Sequence, residues 1–219
     1  MNNINAYSDD GFDVRNDTYS QVYRGPAGAT EITNSAAEST SGKLVRYRGA
    51  VCKVYYMSSD GGSTDSGENV FSQRRSYLLG VADPYEKDIE FYNKTWKSEL
   101  KPESIVSRLS GYGYELAEIS EISAVYSDMG NVIELEIKDM SGNAVNISGE
   151  DCFRKMGLNS LHYSVSKQTV DDETMFVFEG GGWGHNCGMS QWGAYSMAYN
   201  YGADCNKIID FYFNGADIA

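Results

Sequence analysis

A glycine-rich run over residues 180–194 holds the side chains of this sequence that are best placed to do chemistry together. It combines six glycines and two tryptophans with His185, Ser190 and Gln191. Ordering glycine costs conformational entropy, so a dense run indicates tight turns or a backbone that closely approaches another chain or a ligand. The polar and aromatic side chains of the run are suited to holding a polar ligand.

Several kinds of site are excluded by what this run lacks. A P-loop requires a lysine before its last serine or threonine, and residues 188–191 read Gly-Met-Ser-Gln. A dinucleotide site requires a strand–helix–strand unit with an acidic residue about 20 positions on, which the pattern does not indicate. The histidines and cysteines near the run lack the spacing of a standard zinc site: Cys152, His162, His185 and Cys187. The sequence therefore predicts no metal and no cofactor.

Two interpretations of Ser190 and His185 stay open. A serine nucleophile on a G-x-S-x-G turn would need a glycine where Trp192 stands. A serine at the start of a helix is suited to capping that helix, and its hydroxyl can also bind a polar ligand. His185 lies five residues earlier and either reaches this hydroxyl or has a structural role with a backbone carbonyl.

A second polar loop, at residues 58–64, directly follows a predicted strand. It is either a hairpin turn whose aspartate and serines bond their own backbone, or a second cleft wall facing the glycine-rich run. In the second case Ser59, Gly61 and Gly62 would line one side of the cleft. His185, Ser190 and Gln191 would line the other side.

Composition limits the partners of the chain. Its 219 residues carry a net charge of −13, which argues against nucleic acid and anionic membrane surfaces. A hydrophobic content of 41% supports a real core, and no apolar run approaches the ~18 residues of a membrane span. The widely spaced cysteines are expected to be buried thiols: Cys52, Cys152, Cys187 and Cys205.

Local patterns place the elements that would position these side chains. Helices are predicted at residues 30–41, 102–109, 148–156, 190–201 and 204–212, with Thr30, Ser148, Ser190 and Asp204 as caps. Strands are predicted at residues 43–47, 51–57, 132–138, 144–147 and 175–178. The stretch around Pro84 and Trp96 is predicted to be irregular. Because strands and helices do not alternate regularly, we expect one α+β domain over residues 1–219, with mainly antiparallel strands and short interspersed helices.

The run also resembles the hallmark of the SpoIID/LytB family, which contains stage II sporulation protein D and the amidase enhancers. The family pattern is G-x-G-x-G-H-x-x-G-M-S-Q-x-G-A, and residues 180–194 follow it. Supporting matches occur in the same order along nearly the whole chain: Asp13-Val14, Asp17-Thr18, residues 21–23, 36–42, 55–64, 77–84, Trp96 and residues 208–212.

The resemblance implies a function in the bacterial cell envelope, outside the cytoplasm. Members of the family resemble lytic transglycosylases: they cleave peptidoglycan glycan strands that lack stem peptides and partner a cell-wall amidase of the SpoIIP type during engulfment. The chemistry implied is general acid catalysis by one glutamate, with the 6-hydroxyl of the sugar closing an anhydro ring. The resemblance thus implies glycan strands and an amidase as partners, with Ser190 and Gln191 on sugar hydroxyl or acetamido groups.

The sequence departs from the family pattern at two places. The family's catalytic glutamate belongs to a segment before a helix that would precede Met1, and Glu31, Glu38, Glu68 and Glu86 do not occupy its position. Some members carry His and Cys just before Gln-x-Tyr, as a metal site would require, where this chain has Tyr19 and Ser20. The expectation is an N-terminally incomplete enzyme domain. The alternative is a short paralogue that binds glycan or activates an amidase without cleaving.

Overall fold

The computed structural model describes residues 5–18 and 20–219, so the expectations for residues 1–4 and Tyr19 lie outside the described residues. The α-helices are α1 (Glu31–Ser39), α2 (Gly67–Phe71), α3 (Pro102–Ser110), α4 (Asp151–Arg154), α5 (Gln191–Tyr201) and α6 (Cys205–Tyr212). The strands are β1 (Val45–Tyr47), β2 (Ala50–Val51), β3 (Tyr56–Met57), β4 (Thr95–Leu100), β5 (Ile119–Tyr126), β6 (Val132–Asp139), β7 (Ala144–Ser148), β8 (Tyr163–Val170), β9 (Glu173–Gly181), β10 (Met189–Ser190) and β11 (Asp217–Ile218).

Two compact units make up the chain. The smaller one comprises the described part of Met1–Lys53 together with Ala216–Ala219. In it, β1 pairs antiparallel with both β2 and β11. Thr30 caps α1 by accepting a hydrogen bond from the Thr33 N–H, as the sequence predicts.

The larger unit, Val54–Gly215, contains two three-stranded antiparallel sheets and one short parallel pair. One sheet has the order β4-β9-β8 and the other β5-β6-β7. The parallel pair joins β3 to β10, which brings the end of the glycine-rich run beside the start of the polar loop. Because β9 is the central strand of its sheet and ends at Gly181, the run leaves a firmly held element.

Apolar side chains of the strands and of α3 form the core of this unit. β6 alternates as predicted and buries Leu135 and Ile137. Helix α3 lies against β5 and β9 and buries Ile105 and Leu109. Other large side chains buried in this unit are Leu78, Ile119, Ile147, Met156, Leu161, Phe176, Phe178 and Phe213.

The α+β class with mainly antiparallel strands is confirmed, while several boundaries are wrong. The predicted strand 51–57 divides, because β2 pairs with β1 and β3 pairs with the distant β10. Trp96 lies on β4, in a stretch that was predicted to be irregular. Pairing with β9 gives this stretch the regular conformation of a strand. Ser148 ends β7 opposite Glu134 and does not cap a helix, so α4 begins at Asp151.

No helix in residues 5–18 and 20–219 combines the length and the apolar character that crossing a membrane requires.

The cap of the last helix gives a first test of the fold. Asp204 accepts a hydrogen bond of 2.9 Å from the Lys207 N–H. Replacing Asp204 by alanine is expected to lower the free energy of unfolding by about 1 kcal/mol, measured by urea denaturation. Asp210→Ala, on an exposed position of the same helix, should leave the free energy of unfolding unchanged or slightly higher. Equal losses in both variants would show that the cap contributes nothing.

Candidate functional site

Backbone hydrogen bonds join the polar loop to the glycine-rich run. Ser59 and Trp183 exchange two of them, at 2.8 and 3.2 Å. The Trp192 N–H donates to the Ser58 carbonyl over 3.1 Å. The two segments therefore form one continuous wall, although more than 100 residues separate them in the sequence.

Glycine is required where the two backbones touch. At Gly61, with φ of +73°, an added Cβ would lie 2.6 Å from the carbonyl carbon and oxygen of Gly181. At Gly182, with φ of +86°, an added Cβ would lie 2.8 Å from the Asp60 carbonyl carbon and the Gly61 nitrogen. Both positions combine a left-handed backbone with an approach too close for any side chain. Close contact between the segments is thus one reason for this glycine content.

Asn186, a residue of the glycine-rich run, binds the polar loop through its side-chain amide. Its side-chain nitrogen donates to the carbonyls of Asp60, over 2.6 Å, and Ser63, over 3.2 Å. Its side-chain oxygen accepts from the Leu161 N–H over 2.9 Å. Asn186 is fully buried and has a φ of +54°, a conformation that asparagine tolerates better than most residues. One amide thus ties three chain segments together.

The Glu86 carboxylate lies between the two segments. Its oxygens accept hydrogen bonds from the Ser59 hydroxyl (2.7 Å) and from the N–H groups of Asp60 (2.9 Å) and Gly61 (3.2 Å). The Ser190 hydroxyl donates to the same carboxylate. Ser190 also caps α5, so the carboxylate lies at the positive end of that helix. Four donors thus satisfy this buried carboxylate, and the Glu86 side chain joins the two segments.

Two further carboxyl groups lie beside Glu86. Asp60, Asp83 and Glu86 are all buried, and one oxygen from each lies within 4.8 Å of the others. Burial, together with the neighbouring charges of Glu86 and Asp83, raises the pKa of Asp60 well above its usual range. Asp83 accepts from the Tyr85 N–H at 2.8 Å and from the Tyr212 hydroxyl. Burial and the neighbouring Asp83 raise the pKa of Tyr212, which keeps it a donor.

A cavity of about 610 Å³ opens beside this cluster. Part of its lining comes from the polar loop and the acidic segment, namely Gly61, Gly62, Asp83 and Glu86. The rest comes from the β4-β9-β8 sheet, its neighbouring turns and the end of β5, and includes Lys94, Tyr126, His162, Tyr163, Ser164 and Gly180. Burial lowers the pKa of His162, so its imidazole is neutral at pH 7. The cavity combines aromatic faces with polar groups, as sites for sugars do.

Comparison with known proteins finds several relatives that cover most of the chain, among them the following three. An uncharacterized protein of Brachyspira hyodysenteriae is 33% identical over 94% of the chain and 54% of its own length. The amidase enhancer of Bacillus subtilis is 26% identical over 95% of the chain and 35% of its own length. The stage II sporulation protein D of Bacillus subtilis is 28% identical over 86% of the chain and 51% of its own length.

The chain is SpoIID/LytB-like. The resemblance that the glycine-rich run indicates is therefore confirmed. No protein-family profile matches the sequence. The chain spans about half the length of these curated relatives, and about a third of the amidase enhancer.

In this SpoIID/LytB-like chain, the predicted site residues do not all lie at the cavity. Gly61 and Gly62 line it directly. Ser59 and Ser190 lie just behind them, fully buried on the Glu86 carboxylate. Gln191 is exposed at the first position of α5. Their contact with a ligand stays a prediction, and the structure gives Ser59 and Ser190 a positioning role in addition.

His185 lies away from that carboxylate, among aromatic rings. It packs edge-on against Tyr55 and Phe71, with ring centroids 6.1 and 5.1 Å away. Its Nδ1 accepts a hydrogen bond from the Cys187 N–H over 3.1 Å. Within the described part of the chain, the hydrogen bonds of the Ser190 hydroxyl go to Glu86, Ser58 and Gly193, and His185 is not among these partners. The geometry favours the structural role for His185 over activation of Ser190.

The environment of His185 predicts a pH dependence. Burial lowers the pKa of its imidazole from 6.5 to about 4, whereas the unfolded chain should titrate near 6.5. The unfolded state therefore binds the proton first as the pH falls. The contribution to stability should be complete above pH 6.5 and should fall by up to about 3 kcal/mol on going to pH 4. His185→Gln should flatten this part of the pH profile measured by urea denaturation.

Sequence reasoning missed several residues of the site: Asp60, Asp83, Glu86, Tyr126, His162 and Asn186. Glu86 was considered in the sequence only for the role of catalytic glutamate, and it was set aside because it does not occupy that position of the family. Asn186 was part of the run but not distinguished from it.

Proposed function

We propose that this chain is a peptidoglycan-binding part of a bacterial envelope protein that processes glycan strands outside the cytoplasm, in sporulation or related wall remodelling. The observation that carries the proposal is similarity over 86–95% of the chain to proteins named for stage II sporulation and for enhancing an amidase. The cavity beside the two loops supports it, since aromatic and polar groups line the space together.

In this proposal the polar loop and the glycine-rich run form a rigid wall of a glycan cleft. The Glu86 carboxylate fixes the wall from behind through Ser59 and Ser190. The Tyr126 side chain borders the cavity, and because Tyr126 is 45% exposed its ring would contact a sugar face. Lytic transglycosylase activity would follow if the parent protein supplies the general acid that the family resemblance implies.

A second candidate is a non-catalytic module that binds glycan and activates a cell-wall amidase. The name of the relative that covers 95% of the chain favours it. This module would increase the activity of an amidase of the SpoIIP type without making anhydro sugars. The two candidates share the glycan cleft and differ only in the products formed.

Binding to glycan strands tests the shared part of the proposal. The 219-residue chain should sediment with peptidoglycan whose stem peptides an amidase has removed. Ser164→Arg should weaken this binding at least tenfold, because Ser164 lines the cavity and arginine would fill it. Ser166→Arg is the matched control, since Ser166 is exposed on the same strand but is not part of the lining. Equal binding by both variants would contradict the cleft assignment.

Product analysis separates the two candidates. The protein as its gene encodes it is incubated with denuded glycan, and the soluble products are separated by mass spectrometry. Anhydro-muramyl ends indicate transglycosylase activity. Binding without such ends, together with faster release of stem peptides by an added amidase, indicates the activating module. Gln191→Ala should weaken either activity if Gln191 contacts the sugar.

A further inference from the structure

We propose that Asp60, Asp83 and Glu86 form a buried site for one hard divalent cation, Ca²⁺ in first place, at the inner wall of the cavity. The three residues belong to the polar loop and to the segment that follows Leu79. Their relative exposures are 0%, 4% and 3%, and one carboxylate oxygen of each lies within 4.8 Å of the others. Three carboxyl groups this close together and this deeply buried cannot all carry their charge unless a cation lies among them; otherwise one of them must hold a proton.

Hydrogen bonds satisfy the three carboxylates unequally. Glu86 accepts four, and Asp83 accepts one each from Tyr85 and Tyr212. Asp60 accepts one, from the Gly62 N–H to Oδ1 over 2.8 Å. Its other oxygen, Oδ2, is buried with no hydrogen-bond partner. Because a buried carboxylate oxygen is costly to leave unpaired, this part of the cluster needs either a bound cation or a proton shared with the neighbouring Asp83 carboxyl.

Among the described residues, 5–18 and 20–219, no basic side chain forms an ion pair with the three carboxyl groups. Lys94, which lines the same cavity, places its ammonium on the carbonyls of Lys87 and Ile89 and on the Glu90 carboxylate. His162 also lines the cavity, and its Nδ1 lies 3.1 Å from the Asn131 side-chain oxygen.

The chemistry of the cluster selects the class of ion. All three donors are carboxylate oxygens, which suit Ca²⁺ and Mg²⁺, whereas zinc and copper favour nitrogen and sulfur. Oxygens within 4.8 Å of one another can contact a single ion at the distances of about 2.3–2.6 Å typical of Ca²⁺. Asp83 and Glu86 also face the cavity, through which an ion can enter and from which water can complete its coordination.

A bound cation would hold the cavity wall together. Asp60 lies between Ser59 and Gly61, whereas Asp83 and Glu86 lie on the opposing segment. One ion contacting all three would clamp the polar loop to that segment beneath the cavity. The site is independent of the proposed function, because it depends only on the carboxylates and their burial.

Metal binding by the 219-residue chain tests the proposal. After removal of metal with EGTA, Ca²⁺ should bind with one equivalent per chain by isothermal titration calorimetry. It should also raise the unfolding temperature by several degrees more than the same concentration of Na⁺ does. Tb³⁺ in place of Ca²⁺ should luminesce on tyrosine excitation, because the Tyr212 hydroxyl contacts Asp83. Mg²⁺ is the comparison ion.

Asp60→Asn is the decisive variant, since the amide keeps the shape and can still accept from Gly62. It should fold and lose at least tenfold in Ca²⁺ affinity, together with the thermal shift. Asp128→Asn, at an exposed position, should bind as the unchanged chain does. Should Asp60→Asn fail to fold, the stoichiometry and thermal shift of the unchanged chain still decide.

The competing explanation is a proton shared between Asp60 and Asp83. In that case neither Ca²⁺ nor Mg²⁺ shifts the unfolding temperature, and Asp60→Asn is at least as stable as the unchanged chain. That outcome overturns the proposal, as does Ca²⁺ binding of equal strength in the unchanged chain and in Asp60→Asn. Neither outcome bears on glycan binding, so the two proposals fail separately.

Discussion

Replacing Glu86 by alanine is expected to lower the free energy of unfolding by about 3–5 kcal/mol. The change removes the acceptor for the hydroxyls of Ser59 and Ser190 and for two backbone N–H groups. These donors are buried, and leaving each unpaired costs about 1–3 kcal/mol. Relief of repulsion with Asp60 and Asp83 offsets part of the loss. Urea denaturation followed by tryptophan fluorescence measures the difference.

Two comparisons separate these contributions. Glu90→Ala removes a glutamate four residues away whose side chain is 90% exposed and pairs only at the surface with Lys94. It should change the free energy of unfolding by less than about 0.5 kcal/mol. Glu86→Gln keeps one acceptor oxygen and removes the charge, so its loss should be smaller than that of Glu86→Ala. If Glu86→Ala unfolds at the same urea concentration as Glu90→Ala, Glu86 does not hold the polar loop and the glycine-rich run together.

The second large effect is expected for Gly182→Ala. The new Cβ would lie 2.8 Å from backbone atoms of the polar loop, and 3.0 Å from the Ser59 carbonyl oxygen. Backbone atoms cannot rotate away as a side-chain tip can, so the two segments must separate. We expect a loss of about 3 kcal/mol, of which about 1–2 come from the left-handed backbone and about 1–3 from the clash.

Gly113→Ala isolates the contribution of the clash. Gly113 has a φ of +84°, close to the +86° of Gly182, but no atom lies within 4 Å of its added Cβ. It should therefore lose only the ~1–2 kcal/mol of the left-handed backbone. Gly182→Ala should also weaken glycan binding beyond what its stability loss explains, because the cavity wall moves. Equal losses in the two variants would falsify the close-contact argument.

Local chemistry in the sequence was enough to predict several helices. Ser190 and Asp204 cap α5 and α6 as expected, because a cap bonds a backbone group three residues away. The β6–β7 hairpin was predicted for the same reason, since a short turn links its strands. The strands β5 and β8 were missed and β4 was interpreted as irregular. For β4, the deciding partner is β9, about 80 residues away in the sequence.

The candidate site shows the same difference between features set by neighbouring residues and features set by residues remote in the sequence. The sequence indicated two polar segments and suggested that they face each other. In the structure, backbone hydrogen bonds between Ser59 and Trp183 join the two segments directly. The metal expectation considered only histidine and cysteine spacing, so it did not consider the carboxylates. Asp60 lies 23 residues before Asp83 in the chain, and no spacing rule relates them.

By itself, the sequence determined the α+β class, the caps of the main helices and the family to which residues 180–194 point. These depend on short-range chemistry and on motif identity, which a linear sequence carries in full. Only the tertiary structure decided that Glu86 joins the two walls, that His185 packs among aromatic rings, and that three carboxylates meet beside the cavity. Burial and the distance between remote side chains set these outcomes, and both arise only when the strands pair and the core closes.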